Sequence, residues 1–586
     1  MLYEPDMRLS FARLAGVFLS LLTALILSSA KATDPLPNVL FIAMDDLNDW
    51  IGCMGGHEQS LTPNLDRLAA GGTLFTNAHC AAPACNPSRT AIFTGLAPNT
   101  SGLYENGQKM REILPDAVLM PQHFRNHGFR ASGSGKMLHY FIDTQSWDEY
   151  YPEAESENPF PRTLYPNPRP VNLPRGGPWQ YVETDWAALG ATDEEFGGDY
   201  LVAEWVSKEL RKQHDQSFFL ACGIYRPHEP WFVPAKYFEP FPLEEIQLPP
   251  GYKEDDLDDL PSSGKRRGPN RYFAHIREHG QWKQAIQGYL ASIHFADAML
   301  GRVLDALENG PNQERTIVVL WSDHGWHLGE KEHWQKFTLW RAASRVPLMI
   351  HVPADLCLTL PEGTQPGSTC DRPVNLIDLF PTLTELTSVP PKEDNDGVSL
   401  VPLLKDPDAR WDRVSTTFLG EPGCYSLSAD DWRYIHYANG DEELYHIAQD
   451  PYEWNNLASN PEQAPKLTEM RALAPTQFAE KKEASLDAMP ALRWRAIGDK
   501  GIPPSKPDGN TFDVIFINDR ENQVDLYWSS PAGGYKPYGL IEPGKNRRQQ
   551  TRPGAVWFAA PPGQPDKPLG YFKVGDRKAR ATVPAE

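Results

Sequence analysis

After residue 32 the sequence has no apolar run approaching the about twenty residues that a membrane-spanning helix needs. Positive charge is also short: 56 Lys and Arg face 77 Asp and Glu, a formal net charge of −21, which argues against a nucleic-acid partner. Cysteine is sparse, at seven in 586 residues. With Cys85 set aside, Cys53, Cys80, Cys222, Cys357, Cys370 and Cys424 leave an even number, and Cys357 with Cys370 is the one local pair that suggests a disulfide. The one long apolar run, Leu14 to Leu27, follows Arg8 and Arg13 and gives way to small residues through Ala32. It is too short for a single-pass anchor. Residues 1–32 therefore read as a secretory signal, and the mature chain is expected to be exported, whether periplasmic, extracellular or luminal.

A chain of 586 residues exceeds what one hydrophobic core spans, so one large domain and at least one smaller one are expected. Asn38 to Met44 is an apolar run of strand length that stops at Asp45-Asp46. Ser217 to Tyr225 stops likewise at Arg226-Pro227-His228, and Thr316 to Trp321 at Ser322-Asp323-His324; Val346 to Val352 is a further strand. Runs without polar alternation suit strands buried on both faces. Helical patterns, notably Tyr289 to Leu307, lie between them, which predicts an α/β sandwich. Ligands in such sheets gather beyond the carboxyl ends of the strands, where these polar clusters fall.

Asp45 and Asp46 are adjacent and cannot share one strand face, but past the strand end both can turn toward one ion. Asp323 and His324 end another strand in the same way. Three carboxylates and one imidazole suit a hard divalent cation, calcium before magnesium, better than zinc. By itself, an Asp-Asp pair is more often a helix cap or a solvated turn.

Between those two acidic ends lies Cys85-Asn86-Pro87-Ser88-Arg89, trailed by Thr94-Gly95. This pattern resembles the signature of the type I sulfatases. The plain alternative is a buried structural cysteine. The resemblance implies that a maturation enzyme oxidises Cys85 to formylglycine, whose hydrate attacks sulfur with help from Arg89. It implies an alkaline-phosphatase-like α/β sandwich with a large mixed, mostly parallel sheet. It also implies calcium held by Asp45, Asp46, Asp323, His324 and the modified Cys85. Gly135-Lys136-Met137-Leu138-His139, His228 after Tyr225-Arg226-Pro227, and Lys336 match the family's sulfate-binding set, with His228 and His139 as proton-transfer candidates and Lys136 and Lys336 on the sulfate. Alone, such lysines are solvated charges and such histidines structural. Within the family these motifs most resemble the iduronate-2-sulfatase branch, and His324 resembles that branch and the choline-sulfatase branch. The likeness runs from Pro37 to Leu457, giving a catalytic domain over 33–395 and a smaller C-terminal subdomain over 396–495. Two insertions, Asn158 to Pro178 and Glu244 to Gln281, are expected to shape the pocket rim.

A Pro/Gly-rich linker over 496–511 precedes a change of periodicity. Phe512 to Asn518, Val524 to Trp528 and Ala555 to Ala559 are short strand-like runs that predict a small β-sandwich over 512–586. Here Val514-Ile515-Phe516, Asn518, Trp528, Pro537-Tyr538, Leu540, Pro543-Gly544, Arg547-Arg548, Gly554 and Trp557 resemble the β domain of the von Hippel-Lindau tumour suppressor. That domain binds hydroxyproline; Thr551 and Ala555 replace its serine and histidine, which argues against the same ligand. Docking to a glycan or cell surface is the alternative role, and a plain sandwich core explains the aromatics equally well.

The acidic total does not bar an anionic substrate. Exposed charges are screened beyond ~8 Å, whereas a cation ~4 Å from a sulfate contributes ~4 kcal/mol at a surface-like dielectric. The expected activity is hydrolysis of sulfate monoesters on an oligo- or polysaccharide. The alternatives are a phosphonate or phosphate monoester hydrolase on the same fold, a choline-sulfatase-like enzyme, and a degenerate binding protein.

Overall fold

The computed structural model describes residues 36–152, 158–174, 183–482, 486, 489–499, 501–507, 512–575 and 578–585. The signal expected over 1–32 lies outside the described residues, as do residues 500 and 508–511 of the linker. No helix among the described residues is long and apolar enough to cross a membrane.

The main sheet has eight strands: β1 (Asn38–Met44), β2 (Thr73–Phe75), β3 (Arg130–Gly135), β4 (Glu149–Tyr151), β5 (Phe218–Ile224), β6 (Thr316–Ser322), β7 (Leu348–His351) and β8 (Ser368–Cys370). Their spatial order is β8, β2, β7, β6, β1, β5, β3, β4. All neighbours are parallel except β7, which runs antiparallel to β2 and β6. Every residue of β1 is buried. Leu40, Ile42 and Met44 enter one core cluster, shared with helices α1 (Pro63–Gly71), α3 (Asp199–Leu210) and α4 (Trp282–Glu308). Val39, Phe41 and Ala43 enter the other, shared with α2 (Cys85–Thr94). Two covered faces are why the strand lacks polar alternation.

Register then brings the strand ends together. Met44 lies opposite both Ile224 and Ser322, and Gly135 opposite Gly223. Asp45, Lys136, the segment after Ile224 and Asp323 therefore leave the sheet along one edge.

A second, antiparallel sheet follows, with β9 (Ser415–Phe418), β10 (Tyr425–Ser428), β11 (Trp432–His436) and β12 (Glu442–His446) in sequence order. Its buried Glu443 accepts from Trp340 Nε1 at 2.8 Å and from the hydroxyls of Tyr437 and Tyr445, each at 2.7 Å. Arg433 pairs with Glu453 at 2.7 Å, both buried. The sheet thus braces the segment just after Lys336.

Residues 512–585 form seven strands: β13 (Phe512–Asn518), β14 (Val524–Ser529), β15 (Tyr535–Ile541), β16 (Asn546–Thr551), β17 (Val556–Ala560), β18 (Gly570–Lys573) and β19 (Ala579–Val583). They make one sheet ordered β16, β13, β19 and another ordered β15, β14, β17, β18. Val514, Phe516, Leu526, Trp557 and Phe572 fill the space between them. Trp557 is buried and donates to Thr551 Oγ1 at 2.8 Å, which places it in the sandwich core. Leu492 N bonds Arg580 O at 2.7 Å and Arg495 N bonds Tyr571 O at 2.9 Å, so the chain before the linker already pairs with this sandwich.

The disulfide suggested by sequence is not formed. All seven cysteines are free thiols, and Cys370 Sγ points at Pro407 O, 3.3 Å away.

Candidate active site

Cys85 opens helix α2 after an extended Ala84, with no side-chain cap at that end. A helix N-terminus carries partial positive charge, which favours a thiolate there. One turn on, Arg89 reaches back under the thiol. Its Nε donates to Asp323 Oδ2 at 2.8 Å, its Nη2 to Asp45 Oδ1 at 3.2 Å and its Nη1 to Lys136 O at 2.6 Å. Ser88 Oγ donates to Asp323 O at 2.6 Å, tying the same helix to the end of β6.

Asp46 adopts a left-handed backbone, φ 64, and that turn lets two adjacent carboxylates face one cavity. Asp45 pairs with Lys136 and Arg89. Asp46 Oδ1 accepts from Lys336 Nζ at 2.7 Å, and Lys336 Nζ also lies 3.1 Å from Cys85 Sγ. His324 Nε2 sits 3.3 Å from Cys85 Sγ, 3.4 Å from Asp46 Oδ1 and 3.5 Å from Asp323 Oδ2, its other nitrogen bonded to Gly325 O. His228 Nδ1 is bonded to Glu229 O at 2.6 Å, which leaves Nε2 facing Asp46 Oδ2 at 3.7 Å.

The donor set fits a divalent metal. Donor atoms of Asp45, Asp46, Cys85 and His324 all lie within 4.8 Å of one another. Among the described residues nothing hydrogen-bonds the buried Asp46 Oδ2, an oxygen that a hard cation would satisfy. Asp323, the other expected ligand, joins the cluster through Arg89, through His324 and through Asp46 N at 3.2 Å.

Electrostatics follow from burial and pairing. Burial alone would raise the Cys85 thiol, but Lys136, Lys336 and His324, with a contact from His139, hold it well below its ordinary value. Burial likewise works against the Asp45 carboxylate, yet Lys136 first and then His228 and Arg89 keep it low. For His228 burial favours the neutral ring, and Asp46 overrides it, lifting the group to about 9. His139 is pushed the other way by burial, and its Nδ1 is buried without a partner. Three carboxylates thus meet Arg89, Lys136, Lys336 and a protonated His228 in one cluster with the sulfur.

The structure brings the site residues expected from the sequence into this one buried cluster. Others were missed. Glu229 is fully buried and accepts from Trp334 Nε1, Gln335 Nε2 and Thr184 Oγ1 at 3.0 to 3.2 Å, fixing the approach to Lys336. Its one sequence cue is a carboxylate wedged before Pro230. Trp326 faces Lys336 at 5.3 Å, and Tyr140 faces Lys136 at 4.9 Å. On the Lys136 side a cavity of about 490 Å³ is lined by Tyr140, Tyr225 and, from the first insertion, Phe160 and Tyr165. The second insertion supplies Arg267 to a larger cleft on the Lys336 side.

Comparison with known proteins gives a consistent picture. The sulfatase family model matches residues 37–389, and that of the N-sulphoglucosamine sulphohydrolase C-terminal region matches residues 329–477. A sulfatase of Formosa agariphila is 39% identical over 75% of this chain and 86% of its own. The iduronate 2-sulfatase of Mus musculus is 30% identical over 65% of this chain and 74% of its own. A phosphonate monoester hydrolase of Agrobacterium radiobacter shares the fold, with a TM-score of 0.58 at 21% identity over 80% of this chain and all of the other.

Proposed function

The chain belongs to the sulfatase family of sulfuric ester hydrolases, and from that premise we propose that it removes sulfate from a carbohydrate, in the manner of an iduronate-2-sulfatase. The carrying observation is the convergence of Lys336 at 3.1 Å and His324 at 3.3 Å on Cys85 Sγ inside a buried carboxylate cluster. The likeness to iduronate 2-sulfatase supports a sugar substrate.

Oxidised by a maturation enzyme to formylglycine, Cys85 would supply the hydrated aldehyde oxygen that attacks sulfur. Asp45, Asp46, Asp323 and His324 would hold calcium, which would supply positive charge to offset that of the sulfate. This chain's own groups do the rest. Lys136 and Lys336 hold the sulfuryl oxygens and neutralise charge that grows on them. His228, its Nδ1 pinned to Glu229 O, presents Nε2 to protonate the leaving alcohol oxygen. His139, kept neutral by burial, would take a proton from the hydroxyl left on residue 85 once its other oxygen carries the sulfuryl group, and as the C–O bond to that oxygen breaks, sulfate would leave and the aldehyde re-form. Arg89 orients Asp45 and Asp323. The leader expected over residues 1–32 would deliver the enzyme outside the cytoplasm, where sulfated polysaccharides are found.

Sulfate release from glycosaminoglycan, ulvan, fucoidan and carrageenan oligosaccharides tests the reading, with release from at least one expected. Faster hydrolysis of aryl phosphate than aryl sulfate would favour the phosphorus reading, and choline sulfate outpacing every sugar would favour a small-molecule enzyme.

Two further results are expected. Lys336→Ala should lower kcat/KM by about 10² to 10³, the loss usual for one charge-stabilising donor. Exhaustive chelation should remove activity and lower Tm, since Asp45, Asp46 and Asp323 then repel one another; calcium should restore both better than magnesium.

A further inference from the structure

A cleft of about 910 Å³ opens beside the active site, lined on the near side by Ala84 and Phe337. These residues adjoin Cys85 and Lys336 in the chain. Arg267 of the second insertion lines it too, and its far wall belongs to the C-terminal sandwich: Asp513 and Gln550, paired across β13 and β16, and Lys578 just before β19. The volume is at the upper end of the about 300–1,000 Å³ usual for ligand pockets, more than one sugar ring occupies.

Its lining has features that the fold by itself does not call for. Phe337 is 38% exposed and holds a left-handed backbone, φ 72, fixed by a bond from its N–H to Pro83 O at 3.2 Å. Exposure and strain at one bulky residue mark a surface kept for a ligand, and a flat ring there offers a stacking face for a pyranose. Two cations in the cleft, Lys109 and Lys481, are taken by Glu112 at 2.8 Å and Glu105 at 2.6 Å. Among the described residues no carboxylate is within ion-pair distance of Lys578 or Arg267. Lys578 is half-buried, its ammonium packed so close to Gly107 that a Cβ there would stand 3.0 Å from Nζ. A positioned cation with no carboxylate partner among the described residues stands out in a chain of net charge −21.

We infer that the C-terminal sandwich is the far wall of the substrate cleft, where Lys578 and Arg267 bind an anionic group on the sugar next to the one being desulfated while Phe337 stacks on the ring between. This rests on the carbohydrate reading above. The site selects for an anionic oligosaccharide over an isolated sulfated unit, because only the longer ligand reaches both the nucleophile and the far wall.

The test uses the full chain, with 4-nitrophenyl sulfate and a sulfated tetrasaccharide from the panel as substrates. Lys578→Glu is expected to raise KM for the tetrasaccharide about tenfold, as expected for reversing a partly buried contact charge, with kinetics on the aryl sulfate unchanged. Asp513→Lys, which adds a cation to the same wall, is expected to lower that KM. A general structural fault could not move the two variants in opposite directions on one substrate only. Tetrasaccharide turnover by the wild type with KM unmoved by Lys578→Glu would overturn the cleft assignment and leave the carbohydrate reading standing. Aryl sulfate turnover with no saccharide touched by the wild type would sink both.

Discussion

Replacing Cys85 by alanine should cut sulfate release by on the order of 10⁴-fold or more, the scale of losing a catalytic nucleophile, and should leave the fold in place. The thiol is 1% exposed, so one could read it as packing. The neighbours argue otherwise. Packing cysteines of this chain, such as Cys80 and Cys222, have their thiols pushed far up by burial. Cys85 is equally buried and is driven down, because Lys136, Lys336 and His324 surround it. Alanine removes a single sulfur, a loss of about 1 kcal/mol if it merely filled space. Lys336 would keep Asp46 and Arg89 would keep both its carboxylates, so Tm should move little. Sulfate release, Tm and the mass of the wild-type peptide spanning Cys85 decide the matter together. Near-normal release by Cys85→Ala would return the residue to a structural role. An unmodified thiol in a fully active wild type would remove formylglycine from the mechanism.

The parts of this site that were legible in sequence are those written by strand ends. Val39 to Met44 and Ile317 to Trp321 are apolar throughout because helices cover both faces, and the switch to Asp45-Asp46 and to Ser322-Asp323-His324 marks where cover stops. Strand β3 gave no such signal. Its sequence is Arg-Ala-Ser-Gly-Ser-Gly, small because neighbours press on it: a Cβ at Gly133 would lie 2.7 Å from the Tyr150 ring, and one at Gly135 2.1 Å from Gly223 O. Nothing local reveals such crowding, since its source is 17 and 88 residues away. Helix α4 begins at Trp282 rather than Tyr289, extended by about two turns that open on Trp282, which donates to Leu328 O at 2.6 Å, a tertiary tie that periodicity does not register. The same limit hid the role of the tail. Phe512 and Asp513 read as ordinary strand residues and Gln550 lies outside every predicted strand, and only the docking of the sandwich turns them toward Ala84 and Phe337. Glu229 is similar: it matters through Trp334 and Gln335, more than a hundred residues further on.

Arg89→Ala should do more damage than any other single change at the site, because it fails twice. The guanidinium is fully buried and donates to Asp323 and Asp45, both themselves 0% exposed. Taking one member from a buried ion-paired set leaves uncompensated charge and costs about 3 to 5 kcal/mol, a large part of a typical domain's stability. Burial already lifts Asp323 above the ordinary carboxylate range with Arg89 in place; without it Asp323 shifts further up, while Asp45, which Lys136 and His228 still hold low, rises only from a depressed value. A carboxylate whose folded pKa exceeds its unfolded value binds more protons folded than unfolded, so it loses stability as pH rises. The deficit of the variant against wild type should therefore be larger at pH 8 than at pH 5. The expected readings are a lowered Tm at pH 8, partial recovery at pH 5, and partial recovery at pH 8 on adding calcium, which replaces the missing positive charge. Activity should stay lost even where stability returns, because Asp45 and Asp323 no longer have the fork that aims them, and Lys136 O loses the Nη1 bond that sets the start of the Lys136 to His139 segment. Arg89→Lys separates the two effects. It restores a charge but cannot span Asp45, Asp323 and Lys136 O at once, so it should recover much of the Tm and little of the turnover. Equal recovery of both would show that charge alone, and not the fork, is what the site needs at this position.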